Sequence, residues 1–373
     1  MLCVLLITRN EAATIANAIR SVLPVADEVI LTDTGSTDAT VEIARFLSPK
    51  VKIHHFPWTD DFGAARTFAG RRVPPSCTWV LGVDADEELL PSSYDELRRC
   101  MMNPNALGYL VRLDNTLDET DPTIRSDMTS VRLFRYLPDV QFVGRIHERL
   151  SPSIGELVKR ERKPILPSTI ILRHGGFSQQ KSDQKLFRAA HLLKLELQDR
   201  PDQLYYLIEY GRTLLLLKQP DARQVLSRAA EILRKDINAP RPPFLLVALL
   251  LEYLLDAPTE AIDSQTAESL AVKWFANAPP LLFKMARRAF AANDFAKAAR
   301  CLEQLLDVAR TGEYDRTLSF HPRIFGEDTE LNLAVCYART GQIAKARGIF
   351  HKLSTSPRLG QFAKQNLQLI AGM

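Results

Sequence analysis

Four short apolar runs, each separated from the next by a helical pattern, restrict this chain to an α/β beginning. Cys3 to Thr8 reads as a first strand. Asn10 can cap the helix after it, where Ile15, Ala18, Ile19 and Val22 fall at i, i+3, i+4 and i+7 and make one apolar face. Pro24 ends that helix. Glu28 to Thr32 is the second strand, and Asp33 stands at its carboxyl end. Gly35 permits a tight turn there, and Ser36, Thr37 or Asp38 can cap the helix that carries Val41, Ile43 and Ala44. Val51 to Phe56 is the third strand; Pro57 breaks it, and D-D-F-G-A-A-R opens another helix. Trp79 to Val83 is the fourth. Alternation of this kind builds a parallel sheet with helices on both faces.

The fourth run carries the densest chemistry, W-V-L-G-V-D-A-D-E-E. Its apolar residues suit a strand buried on both faces. Asp84 and Asp86 follow at its carboxyl end, the edge where open α/β sheets bind ligands. In extended backbone, side chains two apart leave on the same side. Two hard oxygens so placed suit Mg²⁺ or Mn²⁺, which take few protein ligands and the rest from phosphate and water. The plainer reading, an Asp-x-Asp that only caps a turn, competes with this one. The first loop, T-R-N-E-A, is glycine-poor, and neither G-x-G-x-x-G nor G-x-x-x-x-G-K-[ST] follows the first strand. Phosphates would therefore need a metal and basic side chains rather than a cradle of backbone amides.

The 373 residues are enough for two domains, and a net charge of +4 is too small to argue for a nucleic-acid partner. The five cysteines are scattered without metal spacing, which suits reduced thiols and a cytoplasmic address. The first apolar run is too short for a signal peptide, and the longest, Phe244 to Leu255, is too short to span a bilayer and contains Glu252.

Residues 1 to about 185 resemble a family 2 glycosyltransferase domain of the GT-A fold. The resemblance rests on T-R-N-E at Thr8 to Glu11, V-I-L-T-D-T-G-S-T-D-A-T at Val29 to Thr40, and F-P-W-T-D-D-F-G-A-A-R at Phe56 to Arg66. V-D-A-D-E at Val83 to Glu87, R-L-F-R at Arg132 to Arg135, G-R-I-H-E at Gly144 to Glu148, and R-H-G-G-F at Arg173 to Phe177 continue it in the same order. One departure is Thr67, where the subfamily usually has Asn. The resemblance implies a nucleotide-sugar donor, UDP-linked by default, and inversion at the anomeric carbon. It implies that Glu11, Asp33, Arg66 and Asp84 contact the donor nucleotide. It implies that Asp86, with Asp84 and His174, holds Mn²⁺ or Mg²⁺. Glu148 is then the general base, with His147 orienting it or the donor. Beyond Gly175 and Gly176, Lys181, Lys185 and Arg188 could close over a pyrophosphate or simply form the charged face of the next helix. Asn115 to Met128 reads as a long loop without an assigned role.

From about Lys185 the pattern is helical throughout, so the expected division is 1–185 and 186–373. Ala334, Tyr337, Gly341, Ala346 and Phe350 recur in kind as Ala286, Ala289, Ala298 and Leu302, and more weakly around Gly211, Ala222 and Leu226. Small residues at such offsets let paired helices pack closely, and the pattern resembles degenerate tetratricopeptide repeats. Stacked pairs offer a concave surface for a protein or peptide, a route to self-association, or only a cap on the catalytic half. The expected function is thus a metal-dependent inverting glycosyltransferase acting on a protein, lipid-linked or cell-envelope glycan acceptor. The alternative is a non-catalytic nucleotide-sugar-binding scaffold.

Overall fold

The structure is a computed structural model. It describes residues 1–116, 125–174, 179–314, 318, 320 and 322–371. The chain divides into two compact units, Met1–Pro201 and Asp202–Met373.

In the first unit the elements run β1 (Leu2–Thr8), α1 (Ile15–Val22), β2 (Glu28–Asp33), α2 (Thr40–Leu47), β3 (Val51–His55), α3 (Phe62–Gly70), β4 (Trp79–Gly82) and β5 (Glu87–Leu89). They continue α4 (Tyr94–Met102), β6 (Gly108–Thr116), β7 (Arg125–Arg135), β8 (Gln141–Val143), β9 (Arg149–Ser151), α5 (Ile154–Glu161), β10 (Ile165–His174) and α6 (Gln179–Asp199). Among the described residues, eight strands form one sheet in the order β3-β2-β1-β4-β7-β6-β10-β5. The left half, β3 to β4, is parallel as the alternation predicts. β7 enters antiparallel beside β4 and β6, β10 lies parallel to β6, and β5 closes the edge antiparallel to β10. This is the mostly parallel, GT-A-like sheet expected from the motifs. Ile15, Ala18, Ile19 and Val22 of α1 are fully buried in one core with Val4, Leu6, Val29 and Leu31 of the sheet. Completely burying aliphatic side chains of the larger kind stabilises by roughly 1.5–3 kcal/mol each.

Three local expectations are revised. Asn10 does not cap α1: its backbone is left-handed, and its side-chain oxygen accepts from Thr37 N–H at 2.7 Å, tying the loops after β1 and β2 together. Asn115 to Met128 is not one loop, because Asn115 and Thr116 pair with Ser126 and Arg125 as strand residues; residues 117–124 lie outside the described set. The division expected at residue 185 falls inside α6, a continuous helix of the first unit. Leu192 and Leu193 of that helix are fully buried, and Glu196 accepts the Arg145 backbone N–H. The expected glycine-hinged loop falls at residues 175–178, also outside the described set.

Among its described residues the second unit is all helical: α7 (Leu204–Leu216), α8 (Ala222–Leu233), α9 (Val247–Asp256), α10 (Ser264–Trp274), α11 (Pro279–Ala291), α12 (Phe295–Thr311), α13 (Glu327–Arg339), α14 (Ile343–Leu353) and α15 (Gly360–Ile370). Successive helices pack as pairs, α7 with α8, α9 with α10, α11 with α12 and α13 with α14. The small residues sit where those pairs touch. A Cβ at Gly211 would meet Leu226 Cδ2 at 2.5 Å, and Ala286, Ala289, Ala298, Ala334 and Ala346 are all buried between helices. Among the described residues, no helix is long and apolar enough to cross a membrane.

Candidate active site

The carboxyl ends of β1 and β4 open into a cleft of about 610 Å³. That volume is in the range of small-molecule sites. Its lining includes Thr8, Arg9 and Glu11 at and after the end of β1, Trp58 between β3 and α3, Phe62 and Arg66 on α3, and Asp84 and Asp86 after β4. Arg132 on β7, His147 and Glu148 before β9, His174 at the end of β10, and Lys185 and Arg188 on α6 complete it. Seven of the eight expected site residues therefore line one cleft, although they are scattered from residue 11 to residue 174. Asp33 is the exception. It is buried, and its carboxylate accepts from Ser36 N–H at 3.1 Å and Gly35 N–H at 3.3 Å and lies 3.3 Å from His55 Nδ1. Its neighbour Thr34 reaches the cleft instead.

Asp84 and Asp86 do not leave on one side as extended backbone would require. The chain turns between them, with Glu87 N–H bonded to the Asp84 carbonyl at 3.0 Å, so the two carboxylates enter different networks. Asp84 lies between two guanidiniums: Arg66 Nη2 at 2.9 Å from one oxygen and Arg132 Nη2 at 3.1 Å from the other. Arg66 also donates through Nε to Glu148, which joins the predicted base to the predicted donor contact. Arg132 donates in turn to buried Glu87 at 3.0 Å, and Glu87 accepts the Asp84 N–H at 2.9 Å. Burial works against ionised Asp84, but Arg132 and Arg66 outweigh it and hold its carboxyl well below the usual range. Glu87 goes the other way: burial and the Asp84 charge push it up to about 7, against the pull of Arg132. Burial likewise opposes the Arg66 charge, which Glu148 and Asp84 more than restore.

Asp86 forms the second network. His174 Nε2 lies 3.0 Å from its Oδ2, and the Lys185 ammonium lies 2.9 Å from the same oxygen. The antiparallel register of β5 on β10 sets His174 opposite Glu87, the residue after Asp86. Burial opposes the Asp86 charge, but His174 and then Lys185 hold the carboxyl down at about 2. The bond to Asp86 raises His174 in spite of burial. Among the described residues, no three His, Cys, Asp or Glu side chains converge as a metal shell. Asp86 and His174 set a carboxylate oxygen and an imidazole nitrogen 3.0 Å apart, two donor types that a divalent ion accepts.

Glu148 is delivered by a tight segment. His147 before it has a left-handed backbone, φ 52°. Gly63 of α3 lies so close to this segment that an added Cβ would meet Gly144 O at 2.8 Å and Phe142 O at 3.0 Å. Backbone bonds Phe62 N–H to Arg145 O and Gly63 N–H to Gly144 O fix the approach. Thr67, the position that departs from the subfamily, exchanges hydrogen bonds with the Phe142 backbone at 3.0 and 2.8 Å, so the hydroxyl serves this junction. Arg132 and Glu87 were not singled out from sequence. The available signal was the first arginine of R-L-F-R, on a strand whose register with β4 puts Leu133 opposite Leu81.

A model for "Glycosyl transferase family 2" matches residues 3–163, the sheet and cleft just described. These residues form a family 2 glycosyltransferase domain. Over 241 residues the chain is 32% identical to a TPR repeat-containing protein of Synechococcus elongatus, covering 64% of this chain and 56% of that protein. Over 105 residues it is 43% identical to an uncharacterized glycosyltransferase of Rickettsia bellii, covering 28% of this chain and 34% of that protein. The chain thus spans little more than half of the first relative and about a third of the second. A crystal structure of S. aureus TarS 1–349 in complex with UDP-GlcNAc aligns over 84% of this chain and 93% of its own at 13% identity, with a TM-score of 0.37.

Proposed function

We propose that the chain is an inverting, metal-dependent glycosyltransferase. In this reading it moves a sugar from a UDP-linked donor to a protein or glycan acceptor. The observation that carries the reading is the convergence of Glu11, Arg66, Asp84, Asp86, Glu148 and His174 on one cleft at the strand ends of a family 2 domain. Glu148 Oε1 is engaged by Arg66, which leaves Oε2 to take the proton of the acceptor hydroxyl. The acceptor oxygen bonds to the anomeric carbon as the bond from that carbon to the donor phosphate oxygen breaks. The electron pair leaves with the nucleoside diphosphate. His147, adjacent to the base, shapes the backbone that presents it. Arg66 and Arg132 keep Asp84 ionised for the nucleotide side of the cleft. Asp86 and His174 would hold Mn²⁺ or Mg²⁺, which when bound offsets charge on the departing diphosphate.

The helical unit is proposed to select the acceptor, since paired helices present surface rather than a phosphate pocket. Of five cysteines outside any disulfide four are buried, which supports a reducing, cytoplasmic address. The test is a nucleotide-sugar panel with Mn²⁺, reading hydrolysis as released nucleoside diphosphate, in the natural chain and Asp86→Ala. Turnover is expected from a UDP-sugar, lost in the variant and with EDTA. Full activity of the variant, or indifference to EDTA, would sink the metal assignment; no turnover with any donor would favour the scaffold reading.

A further inference from the structure

Lys185 occupies an unusual place for a helix-surface lysine. Its stem comes from α6, where the side chain is 44% exposed, yet its ammonium ends on Asp86, only 14% exposed, at 2.9 Å. His174 reaches the same oxygen from β10. A divalent ion on that carboxylate and an ammonium at hydrogen-bond distance from it would repel strongly, so the two positions exclude each other. Three residues further along α6, on the same helix face, Arg188 lines the same cleft. Burial, and then the charge of Arg9 just past β1, hold the Arg188 guanidinium below its usual range against the opposing pull of Glu11 and Asp86. With Arg9 and Arg188 both lining it, the cleft favours an anion.

We propose that Lys185 is an exchangeable cation: it holds Asp86 until a divalent ion takes that carboxylate, and then joins Arg9 and Arg188 on the diphosphate of the nucleotide. This rests on the metal reading above and adds to it which side chain yields to the ion and where it goes. A lysine suits the exchange because its charge is compact and its four-carbon stem is flexible, and it binds phosphate as a point charge. The fit is economical in charge. While Asp86 keeps its lysine the carboxylate is neutralised, and once the ion has taken over, the released ammonium adds to the positive field that the diphosphate meets.

The test needs neither the sugar nor the acceptor. Mn²⁺ binding to the full chain is measured by calorimetry without nucleotide, and UDP binding is then measured at saturating Mn²⁺. Lys185→Met is expected to bind Mn²⁺ about tenfold more tightly, because the competitor is gone, and UDP about tenfold more weakly, because a phosphate contact is gone. Lys185→Arg, which keeps the charge, should stay within a few-fold of the natural chain for Mn²⁺. Asp86→Asn should lose Mn²⁺ binding, and far-UV circular dichroism confirms that each variant is folded. If Asp86→Asn loses Mn²⁺ and Lys185→Met leaves both affinities unchanged, the exchange is overturned while the metal site stands. If Asp86→Asn still binds Mn²⁺ normally, or the natural chain binds none, the metal reading itself falls and takes the exchange with it.

Discussion

Removing Arg132 tests the charge network at its least replaceable point. The guanidinium is 17% exposed and is bonded to Asp84, 37% exposed, and to Glu87, 5% exposed. In Arg132→Met the two carboxylates fare differently. Asp84 keeps Arg66 and a third of its surface in water, so its loss is about 0–1 kcal/mol. Glu87 is left buried without a counter-charge, and breaking such a pair from one side costs about 3 kcal/mol or more. The cost depends on pH. Glu87 stands at about 7 in the folded chain against a usual 4.5. A carboxyl with a raised folded value contributes stability that is fully present below the unfolded value and lost as pH rises through the folded one. At about pH 5, therefore, Glu87 is largely protonated in both chains, and the variant loses little more than a hydrogen bond, about 1 kcal/mol. At about pH 8 Glu87 is ionised in the natural chain but is driven to stay protonated in the variant, which lacks the pull of Arg132, and the one pH unit above 7 adds about 1.4 kcal/mol to the lost hydrogen bond. With about 2–4 °C per kcal/mol for a unit of this size, the midpoint of the sheet unit should fall by roughly 5–10 °C at the higher pH and by a few degrees at the lower. Thermal unfolding of both chains at the two pH values reads this directly. An equal drop at both would refute the assignment of the penalty to ionised Glu87.

Glu148→Gln should bind donor normally by calorimetry and lose transfer by a factor on the order of 100, because an amide cannot take the proton; near-normal transfer would place the base elsewhere. Gly63→Ala should push α3 from the Gly144 carbonyl it would meet at 2.8 Å and lower both the thermal midpoint and donor turnover, and an unchanged midpoint would mean that the junction has slack. A chain ending at Pro201 should fold as judged by circular dichroism and hydrolyse donor, but transfer poorly to the natural acceptor through weaker binding. A folded truncation that transfers as well as the full chain would show that the helical unit does something other than choose the acceptor.

Much of the first unit was legible in the sequence because strand and helix periods are local. The apolar runs at Cys3, Glu28, Val51 and Trp79 became adjacent parallel strands, and the i, i+3, i+4, i+7 face at Ile15 became the buried face of α1. The helix pairs of the second unit were legible for the same reason, since Gly211, Ala286 and Ala346 must be small where helices touch. The carboxylates were visible as residues at strand ends, but their partners were not. Whether Asp84 and Asp86 share a ligand depends on the turn between them and on which strand comes to lie alongside. Only the sheet order, which carries β7 in beside β4 and folds β10 back on β5, decides that Asp84 meets Arg132 and that Asp86 meets His174. Asp33 is the contrary case: its Gly35 and Ser36 N–H partners lie two and three residues on, in the turn that Gly35 marks in the sequence. Charge pairing acts over a few ångströms through space, and residues separated by 48 or 88 positions carry no local mark of that proximity.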